Sequence, residues 1–343
     1  MPPYRSPSAT MAAMRVVAAP DKLRGTATAA EAAGAIARAA RAAGWTCDEV
    51  PMADGGEGTL DALGGANRNL TVTGPLGGPV DAGWRLQGRT AVIEMARASG
   101  LELAGGPEHN DPVAASTAGT GELIAEALDQ GAHRIIVGLG GSASTDGGLA
   151  ALRALHPLGR LKAAELVVAC DVMVPFLDAA TLFAGQKGAS PAQVELLRRR
   201  LERLAQVYAD EHGVVVTDLP GAGAAGGLGG GLAAAGGALV SGFELVADEL
   251  ALDEIIEGAD LVVTAEGFLD AQSFDGKVVG GVVELADALD VPVVAIAGQV
   301  FDTASTRVDA IDLVKTHGEE AAFHDTLTCI ERSVAALLDS TPS

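Results

Sequence analysis

Short apolar runs alternate with helical stretches at both ends of this chain, and that alternation restricts it to layered α/β folds. Arg15-Val-Val-Ala-Ala-Pro20 reads as a buried strand, 28–43 as an Ala-rich helix opened by Thr28 and stopped at Gly44, and Asp48-Glu49-Val50 as the way into a second strand. A β-α-β start of this kind favours a parallel sheet. The far end repeats the device: Asp260-Leu-Val-Val-Thr264 is a strand, 278–289 a helix, Val291-Pro-Val-Val-Ala-Ile-Ala297 a strand, Ile311-Asp-Leu-Val-Lys315 a weaker strand and 325–338 a final helix. The middle differs. Leu70-Thr-Val-Thr, Val80-Asp-Ala-Gly-Trp84 and Thr90-Ala-Val-Ile-Glu94 are short strands between Gly/Pro turns, which points to antiparallel or mixed pairing. A helix over 120–130, a strand over 134–138 and a charged helix over 191–212, opened by Ser190-Pro191, follow. The reading is an α/β protein whose two ends form one doubly wound domain (14–64 and 254–343), with a second α/β domain (65–253) inserted and a disordered leader over 1–13.

At 343 residues two cores are affordable, and with 48% hydrophobic but only 3% aromatic residues they must be built from Ala, Val, Leu and Ile. No apolar run reaches the ~18 residues of a membrane span, so no membrane association is expected. The Gly- and Ala-rich tract over 219–240 is too weakly hydrophobic for a span and too flexible for a convincing helix. A net charge of −22 argues against nucleic acid or an anionic membrane as partner, and leaves room for a small anionic substrate if a few cations gather in one place. Cys47, Cys170 and Cys329 have neither disulfide-framework nor metal spacing, which suits a reducing cytoplasm.

The chemistry is expected in turns that combine glycine with carboxylates. Pro51-Met-Ala-Asp54-Gly55-Gly56-Glu57-Gly58 is the densest; a polar turn capping a helix is the simpler reading of such a motif in isolation. The device recurs in Gly140-Gly141-Ser142-Ala-Ser-Thr-Asp146-Gly-Gly148 and in Glu266-Gly-Phe-Leu-Asp270, which points to loops that assemble a site. Carboxylates in such turns can hold a metal ion or take a proton, and glycine lets the backbone approach a ligand. Gly140, Gly141 and Ser142 follow a strand directly, where open amides suit an anion. Asp21, Lys22 and Arg24 sit just past the first strand, and Asp171 ends another. Lys187 and Lys277 lie beside glycines, a natural way to present an ammonium to phosphate. Gly221-Ala-Gly223-Ala-Ala-Gly226 matches a dinucleotide fingerprint by letter without following a good strand; it reads about equally as a phosphate-cradling loop or as packing. No histidine pair has metal spacing, and neither Ser142 nor Ser144 has a base nearby in sequence.

Taken in order, these residues are familiar. Ala19-Pro-Asp21, Pro51-Met-Ala-Asp-Gly-Gly-Glu-Gly58, Gly119-Thr-Gly-Glu-Leu-Ile124, Gly140-Gly-Ser-Ala143, Ala169-Cys-Asp171, Gln186-Lys-Gly-Ala189, Leu219-Pro-Gly-Ala-Gly-Ala-Ala-Gly-Gly-Leu228, Glu266-Gly267 and Gly276-Lys277 closely resemble the type-1 glycerate kinase family. The resemblance implies a Rossmann-like domain joined to a second α/β domain, and ATP-dependent phosphorylation of D-glycerate to 2-phosphoglycerate. It implies Mg²⁺ held with ATP by carboxylates drawn from Asp171, Glu266 and Asp270. Lys187 and Lys277, with Gly140, Gly141, Ser142, Gly223 and Gly226, would meet phosphate. Asp21, Lys22, Arg24 and Glu57 would bind the substrate, and Asp54 or Asp146 would accept the hydroxyl proton. A homo-oligomer is left open.

The chain departs from the family pattern at Lys22-Leu-Arg24-Gly25, where Arg24 keeps a cation, and at Ser144-Thr145, Val174 and Phe268, where two side-chain amides and a guanidinium are expected; the stretch between Gly148 and Val167 is shorter. A kinase for a related hydroxy acid, one giving the 3-phosphate, or a non-catalytic metabolite-binding homologue are therefore the alternatives.

Overall fold

The computed structural model describes residues 13–23, 25–301 and 307–340; the expected leader, Ala13 apart, and Arg24 lie outside them. Eleven strands are found among the described residues: β1 Arg15–Ala18, β2 Thr46–Glu49, β3 Arg68–Thr73, β4 Pro79–Gln87, β5 Thr90–Glu94, β6 Arg134–Leu139, β7 Glu165–Cys170, β8 Ala238–Ser241, β9 Leu261–Leu269, β10 Val293–Val300 and β11 Asp309–Asp312. The chain divides into two compact units. One holds the residues up to Pro51, Asp253–Asp270 and those from Val282 onward; the other holds Met52–Leu252 and Ala271–Gly281.

In the first unit both ends of the chain build one parallel sheet in the order β11-β10-β9-β1-β2. The order reverses between β1 and β9, the switch point at which open α/β sheets bind ligands beyond the strands' carboxyl ends. Strand side chains alternate, so Val16, Ala18, Val263 and Ala265 share a core with Ile36 of the helix Ala29–Ala42 and with Ile330 and Val334 of the helix Thr326–Ser340. The first of these helices starts at a capping box: Thr28 Oγ1 takes the Glu31 amide at 3.2 Å, and Glu31 returns a carboxylate to the Thr28 amide at 2.9 Å. The weak strand expected over 311–315 is shorter than its pattern. It ends at Asp312, whose side chain accepts the Lys315 amide at 2.8 Å and starts the helix Leu313–His317.

The second unit carries a mixed sheet in the order β3-β4-β5-β6-β7-β8, antiparallel through β5 and parallel from β5 onward. Its main core centres on Trp84, Ile93, Ile135, Val137 and Leu228. Residues 52–64, expected with the first domain, belong to this unit because the loop that starts at Asp54 packs on this sheet. The 22-residue helix Pro191–His212 has Ser190 as cap, Pro191 in its first turn and Gly213 in the left-handed conformation at its end.

The Gly-rich tract is a correction. It is the helix Ala224–Ala234, kinked at Ala225, Gly226 and Gly227, and almost wholly buried. The glycines act through proximity: a Cβ on Gly231 would lie 2.7 Å from the Gly147 carbonyl oxygen, and one on Gly226 would collide with that of Ser144. Close packing supplies what propensity lacks.

Candidate active site

Glycines at neighbouring strand ends let the Asp54 loop lie directly on the second sheet. β6 ends at Leu139 and runs into Gly140; β8 ends at Ser241 and is followed by Gly242. A Cβ on Gly138 would lie 2.8 Å from the Gly55 carbonyl oxygen, one on Gly140 2.6 Å from Gly56 Cα, and one on Gly55 2.8 Å from Gly242 Cα. Gly55 also holds φ at +89°, a region that side chains disfavour. The loop therefore stacks backbone on backbone across the strand ends. Glu57 is laid over Gly141, where any Cβ would displace its carboxylate. Asp54 is 8% exposed and accepts the Gly56 amide at 3.3 Å. The amides of Gly140, Gly141 and Ser142 donate to no protein acceptor among the described residues, which keeps them available to an anion.

Two buried charges hold these loops. Glu94, at the end of β5 and 3% exposed, accepts the amides of Gly58 at 3.0 Å and Leu60 at 3.2 Å, and Arg97 stands 3.4 Å from its other oxygen. Burial pushes its pKa up, against the pull of Arg97 and the two amides. Lys187, 6% exposed, donates from Nζ to Ser142 Oγ and to the Ser144 carbonyl oxygen, both at 2.6 Å. Burial draws its pKa down to about 7, and the nearby Asp146 charge opposes that shift. Asn110 ties the same two segments from outside, donating to the carbonyl oxygens of Ala143 at 3.0 Å and Lys187 at 2.9 Å.

Asp146 itself is occupied. One oxygen takes the Thr117 amide at 3.0 Å and the Thr117 hydroxyl at 2.8 Å; the other takes the Gly148 amide at 3.1 Å. It braces the turn into the helix Leu149–Ala154.

In the first unit, Asp21 and Lys22 lie at the β1–β9 switch point. The Asp21 amide continues the ladder to the Ala265 carbonyl oxygen at 2.8 Å, and its carboxylate takes the Lys22 amide at 2.7 Å, with the Lys22 ammonium at 3.8 Å. Glu266 lies within β9 and Asp270 directly follows it in this unit.

The model of the glycerate kinase family matches residues 16–157 and 156–339, nearly the whole described chain. The chain belongs to the glycerate kinase family. It is 41% identical to a glycerate 2-kinase of Escherichia coli K12 and 39% identical to a glycerate kinase of Bacillus subtilis 168, each match covering 90% of both chains. A crystal structure from Salmonella typhimurium LT2, provisionally named glycerate kinase 2, superposes with a TM-score of 0.80 at 36% identity over 96% of this chain and 98% of that one.

Against this family frame, the second unit brings Asp54, Glu57, Gly140, Gly141, Ser142 and Lys187 together at its strand ends. Asp171 follows β7 directly, and Lys277, half-buried, precedes the helix Val278–Ala288. Arg24 lies outside the described residues. Gly223 and Gly226 do not offer a phosphate cradle: the Gly223 amide is taken by the Val174 carbonyl oxygen at 2.9 Å, and Gly226 is packed on Ser144. Among the described residues no three His, Cys, Asp or Glu side chains form a metal-binding group. Cys170 is inert, its pKa raised to about 11 by burial and by Asp171.

Sequence reasoning missed Glu94 and the Lys187–Ser142 contact. Glu94 ends an otherwise apolar strand, Thr90-Ala-Val-Ile-Glu94, and a carboxylate at such a strand end was the available signal. No local pattern shows Lys187 to be the amine beside Ser142, because 45 positions separate them.

Proposed function

We propose that this chain transfers the terminal phosphoryl group of ATP to a hydroxyl of D-glycerate, giving 2-phosphoglycerate. The observation that carries the reading is the intact Asp54-Gly-Gly-Glu57 loop laid on Gly138 and Gly140, in a chain of the glycerate kinase family. Phosphoryl transfer needs positioned groups and neutralised charge more than covalent chemistry. Asp54 accepts the proton of the attacking hydroxyl from a loop that the neighbouring backbone holds on both sides. The open amides of Gly140, Gly141 and Ser142, with Lys277, receive phosphate oxygens. Asp21, Lys22, Arg24 and Glu57 recognise the substrate. Lys187 and Asp146 are positioning residues: their polar atoms are spent on Ser142, Ser144, Thr117 and Gly148, so they shape the phosphate loop from behind.

The donor set suits Mg²⁺ carried by nucleotide. Such an ion keeps waters and phosphate oxygens and asks the protein for one or two carboxylates, which Asp171, Glu266 or Asp270 can supply without a three-ligand cage. Bound in that way, Mg²⁺–ATP supplies the phosphoryl group and offsets its charge.

A related hydroxy acid is the second reading. It has support from Phe268, which is 51% exposed and lies 6.3 Å, ring to ring, from the exposed Phe301, where the family resemblance expects a guanidinium.

The deciding experiment follows ADP release with ATP, Mg²⁺ and a panel of small hydroxy acids, with NMR of the product. D-glycerate is expected to turn over fastest and to yield the 2-phosphate. A faster acid transfers the reading to that acid, and no release with any acid ends the kinase reading.

A further inference from the structure

The second unit holds a cavity that the glycerate kinase reading does not use. It measures about 550 Å³ and opens between the helices Leu149–Ala154 and Pro191–His212 and the segment around Val113. That volume is in the range of small-molecule sites, ~300–1,000 Å³. Its floor is aliphatic: Leu197, Leu201 and Leu204 from one face of the long helix, and Leu149 opposite.

The rim is cationic. Arg153, Arg199, Arg200 and Arg203 line it, and Asp146 is the one acid that does. In a chain of formal charge −22 this is a local reversal of sign. Asp146, bonded to Thr117 and Gly148, sets one negative charge against these four guanidinium groups. Of the four, Arg199 alone is ion-paired among the described residues, to Glu195 at 2.8 Å. Arg200 reaches across the mouth to the Val113 carbonyl oxygen at 2.9 Å, and Arg203 meets the neutral Gln206 at 3.3 Å. The Arg153 side chain is exposed and makes no hydrogen bond or ion pair among the described residues. Guanidinium groups left with free donors over an apolar floor are a recognition surface for a planar or tetrahedral anion.

A second observation comes from the wall. Thr145 lines the cavity, is 1% exposed, and its Oγ1 has no hydrogen-bond partner. A buried hydroxyl without a partner costs ~1–3 kcal/mol, so its place in the cavity wall points to a ligand that satisfies it.

We propose that this cavity binds a small organic anion with an apolar body, a phosphate or carboxylate on an aliphatic or aromatic skeleton. The skeleton lies on Leu149, Leu197, Leu201 and Leu204. The anionic end faces Arg153, Arg200 and Arg203, and a ligand oxygen takes up the Thr145 hydroxyl. The site stands whether or not the kinase reading holds, because it is defined by binding alone.

Octyl phosphate is the probe, titrated by calorimetry into the full chain with and without Mg²⁺–ADP. One-to-one binding is expected, unaffected by Mg²⁺–ADP. It should be at least tenfold tighter than that of octyltrimethylammonium, which has the same tail and the opposite charge, or of inorganic phosphate, which lacks the tail. The doubly substituted Arg153→Ala, Arg203→Ala chain is expected to lose at least tenfold in affinity with its melting temperature retained, since both side chains are exposed. Thr145→Val is expected to weaken binding several-fold. Equal binding of the cationic amphiphile, undiminished binding by the arginine variant, or complete displacement by Mg²⁺–ADP overturns the proposal; the last would place the nucleotide itself in the cavity.

Discussion

The carboxylate of Glu94 accepts the amide of Gly58 at 3.0 Å, so a buried acid at the end of β5 fastens the last residue of the Asp54 loop. The same oxygen takes the Leu60 amide, at the start of the helix Thr59–Ala62. Removing the side chain strands two amides in a dry place. Glu94→Ala is expected to cost about 2 kcal/mol in urea unfolding and to lower kcat, because the loop that carries Asp54 loses its tether. Glu94→Gln keeps an acceptor oxygen and is expected to recover most of both. Equal behaviour of the two variants would show that the hydrogen bonds do not hold the loop.

Lys187 makes a pH-dependent claim. Its folded pKa, about 7, lies below the ordinary lysine value of 10.5. The unfolded chain therefore binds more protons between those two values, and the stability contributed by this site rises with pH across that window. Below about pH 7 both states are protonated and the full cost of burying the charge is present. The stability difference between wild type and Lys187→Met is expected to shift toward wild type from pH 7 to pH 10, and to be flat from pH 5 to pH 6. Chemical denaturation at several pH values checks this; a difference that is flat up to pH 10 removes the depressed pKa.

Gly140 tests the backbone stacking. Its Cβ would come within 2.6 Å of Gly56 Cα, with both partners rigid backbone. Gly140→Ala is expected to destabilise by about 1–3 kcal/mol and to reduce kcat/KM at least tenfold by shifting the Asp54 loop. Gly159→Ala, exposed on a 3-10 helix with open space around the added methyl, is the matched control and is expected to be neutral.

These cases show what a sequence can and cannot reveal. The alternation of periods at the chain ends favoured a parallel sheet, which the structure builds from five strands, because strand and helix patterns are local. Ser190-Pro191 and Thr28 marked helix starts for the same reason. The helix Ala224–Ala234 was hidden because its glycines are justified by close neighbours such as Ser144, Gly147 and Phe176, distant in sequence. The Asp54 loop stood out through its own composition, whereas the work of Glu94 and Lys187 depends on partners 34 to 45 positions away. Asp146 shares the Gly-acid composition of the Asp54 loop, and the claim of Thr117 on its carboxylate is invisible in the sequence because 29 positions separate them.

That contrast between the two aspartates gives the last test. Asp146→Ala leaves the amides of Thr117 and Gly148 and the Thr117 hydroxyl without an acceptor, and is expected to cost about 2–3 kcal/mol in stability. Asp54→Asn keeps the oxygen that meets the Gly56 amide and removes the charge and the capacity to take a proton. It is expected to melt within a few degrees of wild type while kcat falls by ~10²–10⁴, the usual contribution of a positioned base. Asp146→Asn retains an acceptor for Thr117 and should keep most of its rate. Thermal melts and ADP release on the three variants separate the roles. If Asp146→Asn loses the rate at wild-type stability while Asp54→Asn turns over normally, the base is Asp146, and the Asp54 loop serves to hold the substrate.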